Sequence, residues 1–162
     1  MAPGLEAAAT SDAAGSDAPP IAQSDLDAIA RAVLERYRQN PETTPDGWLM
    51  KKYRQSHQSP IIVASDRERG RVLSPAALPS KEFALRSTAE LQAEADRTQT
   101  NAYFILITSV DIDGAEARVW VGVDFMKPAG ARGGLCCCSA SQTFVKRGKS
   151  WRYKSTALQS CS

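Results

Sequence analysis

The chain has little of what marks a catalytic or membrane protein. His57 is its only histidine among 162 residues, so proximity in sequence supports no Ser/His/Asp or Cys/His arrangement. No apolar run approaches the roughly 18 residues that a membrane span needs. No phosphate-binding glycine loop or dinucleotide fingerprint is present. We therefore expect no catalytic residue, cofactor or membrane span, and we interpret His57 as a solvated residue near a helix end.

Neither positive nor negative charge predominates in the chain, which has 20 Lys and Arg against 18 Asp and Glu. The formal net charge is +2, which is too close to neutral to indicate a nucleic-acid partner. Residues 151–154 alternate aromatic and basic side chains, as single-strand binders do. The near-neutral balance and the fit of both aromatics to a core favour a structural role for them. We expect no nucleic acid to bind.

The first 23 residues contain no Lys or Arg, and few residues up to about Pro20 are able to pack in a core. Their Ala, Gly, Ser, Asp and Pro content predicts a disordered leader. Because a basic start and an apolar stretch are both missing, this segment is not itself a signal peptide. It resembles the tether that follows a removed signal or lipidation site, with a plain disordered terminus as the alternative. The predicted organisation is a leader over 1–23 and one α+β domain over 24–162.

Two β-hairpins are predicted between Asn101 and Leu158. Asp113-Gly114 is a two-residue turn signal. Centring the first hairpin there places Phe104, Leu106, Thr108, Val110 and Ile112 on one inward face with Val119, Val121 and Val123. The opposite face then carries Tyr103, Ile105, Ile107, Ser109, Arg118, Trp120, Gly122 and Asp124. This second face is half apolar, so we expect a partner or the helices to cover part of it.

Arg147-Gly148 gives the turn of the second hairpin, which sets Phe144 against Trp151 and Cys136 against Gln159. A Pro- and Gly-containing loop over 126–134 joins the hairpins. The four strands form an antiparallel meander.

Three helices and a short strand are predicted before the hairpins. Ser24 caps a first helix whose apolar stripe runs from Leu26 to Tyr37 and which stops at Asn40-Pro41. A second helix spans about 44–58, a short edge strand 61–64, and a loop 66–80. The capping box from Ser87 to Glu90 opens a third helix that ends near residue 98. The predicted fold class is α+β, with N-terminal helices packed on a curved antiparallel meander of about four main strands.

Four cysteines lie late in the chain, at positions 136, 137, 138 and 161. In the hairpin register, Cys161 falls diagonally near Cys136 on one face, and we predict a disulfide between them. Free buried thiols and a zinc site are the alternatives. Zinc is disfavoured because three consecutive cysteines lack ligand spacing and His57 is distant. A disulfide requires an oxidising compartment, which favours a periplasmic or cell-envelope location, with a lipid anchor as an option.

The element order and the closing pattern from Phe144 to Tyr153 resemble the nuclear-transport-factor-2-like and cystatin-like cone folds, over about residues 24–158. The resemblance implies a curved sheet and helices that enclose a pocket. Some members use Asp, His or Tyr there for catalysis, and many only bind a ligand or partner. The inward strand positions here are Val, Leu, Phe and Thr, which supply no acid–base pair.

The first function hypothesis is a non-enzymatic, exported bacterial protein that binds a protein partner through Tyr103, Ile105, Ile107, Arg118 and Trp120. Its concrete version is an immunity or inhibitor protein whose partner is a cognate secreted toxin. An envelope protein or a second copy of the chain are alternative partners. A small-molecule pocket inside the cone and an effector acting in the envelope are the competing functions.

Overall fold

The computed structural model describes residues 20–39, 60–133 and 138–161. Its elements are α1 (Gln23–Gln39), β1 (Ile61–Ala64), a 3-10 turn (Pro75–Ala77), β2 (Phe83–Arg86), α2 (Thr88–Thr98), β3 (Ala102–Asp113), β4 (Glu116–Met126), β5 (Cys138–Arg147) and β6 (Ser150–Cys161). The helix expected over 44–58, His57 and Cys136 lie outside the described residues.

The α+β class is confirmed, but the sheet is larger than predicted. Six strands pair in the order β2-β1-β3-β4-β5-β6. Strands β3 to β6 form the expected antiparallel meander, and β1 and β2 extend it with parallel pairings. The expectation of about four main strands, with β1 at an edge, is therefore corrected. The uninterrupted apolar run of β1 is typical of a strand buried among parallel neighbours.

Helix α1 forms where its apolar stripe was predicted. Ile29, Val33, Leu34 and Tyr37 recur at three- and four-residue intervals and are fully buried against one face of the sheet. Asp25 in the first turn and basic residues in the last turn complement the helix dipole. The main core therefore lies between α1 and the sheet.

Helix α2 begins with the predicted capping box. The Ser87 hydroxyl accepts from the Glu90 N–H at 3.2 Å, and the Glu90 carboxylate accepts from the Ser87 N–H at 2.7 Å. The second of these bonds lowers the pKa of Glu90 below its ordinary value. On the other side of the helix, Leu91 and Ala95 form a second, smaller core with buried residues of the sheet. Thus α1 and α2 cover opposite faces of the sheet.

Both hairpin turns lie one residue later than predicted. Asp113 pairs with Glu116, so the first turn is Gly114-Ala115. Gly114 has a φ of +59°, as the first central residue of a type II′ turn does, and glycine is preferred there. Near the turn, each β3 residue therefore pairs with a β4 residue two positions later than the predicted one. This displacement leaves each β4 side chain on its predicted face, and Val119, Val121 and Val123 are buried as expected.

An irregularity at Thr108 changes the faces of β3. The pairing shifts between Ile107 and Ser109, so Thr108 is an extra residue on that strand. Before it, Ile105 and Ile107 point into the α1 core; after it, Val110 does. The predicted inward position of Phe104 is thus wrong, because this residue belongs to the α2 core.

The second hairpin turns at Gly148-Lys149, where Gly148 has a φ of +61°. Phe144 pairs with Tyr153, in place of the predicted Trp151. The pairing of β5 with β6 shifts at two points. Lys154 and Ala157 are therefore extra residues on β6 with no partner residue on β5. At its far end, the hairpin pairs the backbones of Cys138 and Cys161.

Candidate functional site

The candidate site is the face of β3 to β6 that points away from α1. On β4, Ala117, Val119 and Val121 enter the core, so the residues between them point the other way. The pairing registers extend this alternation to the neighbouring strands. We call the set the outer face: Ser109, Asp111, Glu116, Arg118, Trp120, Ser139, Ser141, Thr143, Val145, Arg152 and Ser155.

Trp120 is the one aromatic residue of the outer face. It pairs with Ser109 on one side and with Ser141 on the other, and its side chain is half-buried. The residue that follows on this face is Gly122, where an added Cβ would lie 2.6 Å from the carbonyl oxygen of Cys138. Short neighbours on three sides therefore leave the indole as the bulkiest feature of this part of the sheet.

Arg118 lies one row before Trp120, between Asp111 and Thr143. Its side chain is exposed. In the next row, Arg152 pairs with Val145 on β5 and is also exposed. Two arginines and one tryptophan thus share a face with Glu116, the half-buried Val145 and short polar residues. Of the short polar residues, Ser141 and Thr143 are only 2% and 8% exposed.

A loop bounds the outer face on the side of β3. Arg69 forms a salt bridge with Asp124 at 3.2 Å, and the N–H of Arg71 donates to the carbonyl of Ile107 at 3.0 Å. Between them, Gly70 approaches so closely that an added Cβ would lie 2.5 Å from the same carbonyl. The loop is therefore fixed over the middle of β3, and α2 contacts β3 and β4 beside it.

The structure brings only part of the predicted surface together. Arg118 and Trp120 share the outer face as expected. Ile105 and Ile107 are 0% and 1% exposed beneath α1, so they are removed from the predicted partner surface; the extra residue at Thr108 accounts for the error. Tyr103 is half-buried at the start of β3, with its ring 5.5 Å from that of Phe125.

Arg152 was missed by the sequence analysis. Its signal was present in the alternation of residues 151–154, because Trp151 and Tyr153 pack in the α1 core and the residue between them must point outward.

Two grooves flank the sheet. The first, of about 580 Å³, runs between α2 and the starts of β1 and β3, and its lining includes Ile62, Leu91, Ala93, Arg97 and Tyr103. The second, of about 620 Å³, lies between α1 and the turn of the second hairpin, with Ala28, Arg31, Ala32 and Trp151 in its lining.

Two described carboxylates, those of Asp27 and Asp66, have structural roles. Asp27 is buried and accepts hydrogen bonds from the Ser74 N–H at 3.0 Å and from the Gln23 amide at 3.0 Å, which tie α1 to the 3-10 turn. The pKa of Asp66 is lowered because the backbone N–H groups of Glu68 and Thr88 donate to its carboxylate. The carboxylates of Asp27 and Asp66 are thus each engaged in hydrogen bonds that fix one segment of the fold to another.

The described residues include neither a candidate metal site nor a candidate membrane-spanning helix. Among residues 20–39, 60–133 and 138–161, no three His, Cys, Asp or Glu side chains are grouped as a metal site would require. Neither described helix has the length and apolar character needed to cross a bilayer.

Comparison with known proteins adds no relative. No family model, no curated protein and no solved structure matches the chain. The resemblance to nuclear-transport-factor-2-like and cystatin-like domains therefore stays a prediction.

Proposed function

We propose that the protein is a non-enzymatic binding protein whose outer face docks a protein partner. The observation that carries this proposal is the position of Trp120 beside Arg118, opposite the face that α1 covers. Tryptophan and arginine are enriched among residues that dominate binding energy, and such anchors are typically surrounded by near-neutral contacts. The half-buried Ser109 and Ser139 fit that surrounding role, whereas Ser141 and Thr143 are buried.

The concrete version of the proposal is an immunity or inhibitor protein against a secreted antibacterial toxin, in the periplasm or cell envelope. The composition of residues 1–23 and the late cysteines support the location. Expression directed to the periplasm tests the role. Protection of the cells against a co-expressed toxin supports inhibition, whereas growth arrest caused by this protein alone supports the effector alternative and contradicts inhibition.

Site-specific photo-cross-linking tests the docking face. A photoreactive residue replaces Ser139 or Ser155 on the outer face, and Lys81, an exposed residue before β2, is the matched control. We expect a discrete cross-linked partner from the outer-face positions and none from position 81. Equal cross-linking from all three positions would contradict the proposal.

Truncation of the anchor gives the energetic test. Trp120→Ala should weaken binding of the cross-linked partner about tenfold or more, as loss of a hot-spot residue does. Val72→Ala is the control, because Val72 is a large apolar side chain that is 43% exposed and lies outside the outer face. Far-UV circular dichroism and a thermal melt confirm that each variant is folded before its binding is interpreted.

A small-molecule function is the second candidate, supported by the groove beside α2. Leu91 and Ile62 give it apolar walls, while Arg97 supplies a charge in its lining, a mixture that is common in ligand sites. Ala93 lines the groove and is exposed, so Ala93→Trp should fill it without disturbing the core. A ligand that raises the melting temperature of the wild type but not of Ala93→Trp would support this candidate over the outer face.

A further inference from the structure

The charges are separated along the chain. Asp124 is the last acidic residue, and residues 125–162 contain seven basic and no acidic residues. This leaves 13 basic and 18 acidic residues, a net charge of −5, in residues 1–124. The near-neutral total thus conceals a strongly basic end that contains β5 and β6.

The fold neutralises only some of these cations. Lys154 pairs with Glu116 at 2.8 Å, and the Lys146 ammonium lies 3.7 Å from the Asp25 carboxylate. Arg147, Lys149 and Arg152 are exposed, and within the described ranges no ion pair joins them to an acidic residue. The uncompensated charge therefore gathers at the turn of the second hairpin and on the adjoining outer face.

Arg152, Arg118 and Trp120 lie in successive rows of the outer face. Successive outward residues of one strand are about 7 Å apart, and neighbouring strands are about 4.8 Å apart. Arg152 on β6 occupies the row next to that of Arg118 on β4, and Trp120 occupies the row after it. The face thus presents two guanidinium groups and then an indole, with Val145 and Thr143 of β5 between the two arginines.

We infer that the partner of the outer face is an acidic protein surface, whose carboxylates meet Arg118 and Arg152 while an apolar recess receives Trp120. This inference rests on the proposed function and specifies the chemistry of the partner. Arginine suits the role because its planar fork binds carboxylates bidentately. Complementary charge also speeds association and excludes partners of the wrong sign.

A nucleic acid fits the same face less well. Asp111 lies directly across from Arg118, and Asp113 and Glu116 close the same end of the first hairpin. The uniformly negative phosphate backbone of a nucleic acid would be repelled by these carboxylates. A protein partner can instead place a carboxylate against each arginine and a different group against each acid. Proteins that bind single-stranded nucleic acid also stack successive bases on several aromatic residues, whereas Trp120 is the one aromatic residue of the outer face.

Binding of defined probes to the full chain tests the inference. The probes are a synthetic peptide of Glu, Asp, Leu and Phe, the same peptide with Lys in place of the acidic residues, a poly-dT oligonucleotide and vesicles of phosphatidylglycerol. We expect the acidic peptide to bind at low salt, and to bind about tenfold or more weakly to the Arg118→Glu, Arg152→Glu double variant. Lys81→Glu, which changes an exposed charge far from the face, should leave the affinity unchanged.

The outcomes separate the two proposals. No binding of the acidic peptide, equal binding of the lysine peptide, or tighter binding of the oligonucleotide or vesicles would overturn the inference. If the cross-linked partner is lost with Trp120→Ala but retained by the double variant, the outer face binds protein and the acidic-partner inference fails. If the acidic peptide binds through both arginines but outer-face cross-linking finds no partner, the proposed cellular function fails.

Discussion

The guanidinium carbon of Arg36 lies 3.4 Å from the centroid of the Tyr153 ring, which joins the last turns of α1 to β6. The same ring contacts Phe144 edge-on, with 5.9 Å between centroids. A cation over an aromatic face is stabilising, more so when it is partly desolvated, and Arg36 is half-buried. This contact therefore helps to hold α1 on the sheet.

A double-mutant cycle measures the contact. Arg36→Met keeps an apolar stem and removes the charge, and Tyr153→Leu removes the ring. We expect a coupling free energy of about 1–2 kcal/mol in urea unfolding. Arg38→Met is the control: its exposed pair with Glu35 should contribute less than about 0.5 kcal/mol. A coupling energy no larger than that of the control would show that the stacking is not stabilising.

Gln142 is the fully buried amide of β5, and it faces the core opposite Val119. Within the described part of the chain neither its oxygen nor its nitrogen has a hydrogen-bond partner. Because an unpaired buried polar group costs about 1–3 kcal/mol, Gln142→Met should raise the free energy of unfolding by a similar amount. The exposed Gln159, changed to Met, should shift stability by under about 0.5 kcal/mol. A loss of stability at position 142 would refute this account.

The start of α2 should respond to acid. Asp66 and Glu90 both accept backbone N–H groups there, and both pKa values are lowered. Their contribution to stability is fully present above the unfolded-state pKa of about 4 and is lost as pH falls through the lower folded-state pKa. The urea midpoint of Glu90→Gln should therefore change less than that of the wild type as the pH is lowered into this range.

Glu68→Gln is the matched control for this titration, because Glu68 is an exposed acid of the neighbouring loop. Its pH profile should follow that of the wild type. If Glu90→Gln and Glu68→Gln gave the same profile, the capping carboxylate would not be the group that responds.

The cysteine prediction changes with the observed register. Cys161 pairs with Cys138, and Cys138 is disulfide-bonded, whereas the sequence favoured Cys136, which lies outside the described residues. Residues directly opposite in antiparallel strands have Cα atoms about 4.5–5.5 Å apart, a separation that a disulfide spans. We expect a peptide linked through Cys138 and Cys161 in mass spectrometry without reductant.

Removal of that bond should weaken the end of the hairpin. Cys161→Ser should cost about 3.5 kcal/mol by the chain-entropy relation for a loop of this length, and Cys137→Ser serves as the control. Linkage of Cys161 to position 136 or 137 would contradict the proposed pairing.

The faces of β4 could be predicted, but its partners could not. Glycine and the alternation of Val119, Val121 and Val123 identify a hairpin, and a turn displaced by one residue moves the register by two, which preserves the faces. Arg118 and Trp120 were therefore placed correctly. The preference of Gly114 for the first central position was the missed local rule.

The errors on β3 have a tertiary cause. Residues 104–107 are all apolar, so alternation alone cannot tell which pair faces α1 and which faces α2. The one usable signal was the three-residue step from Ile107 to Val110, since a regular strand repeats every two residues. The parallel strands β1 and β2 were harder still, because four-residue strands joined through long connections carry little local pattern.

The two extra residues on β6 have a consequence for self-assembly. An outermost ribbon with a regular ladder is a template on which further chains add and build fibrils. The kinks at Lys154 and Ala157 interrupt that template, and the ammonium group at the first kink would meet its own copy in any in-register stack. An edge strand interrupted in this way is a poorer template for added strands than a regular one of the same length.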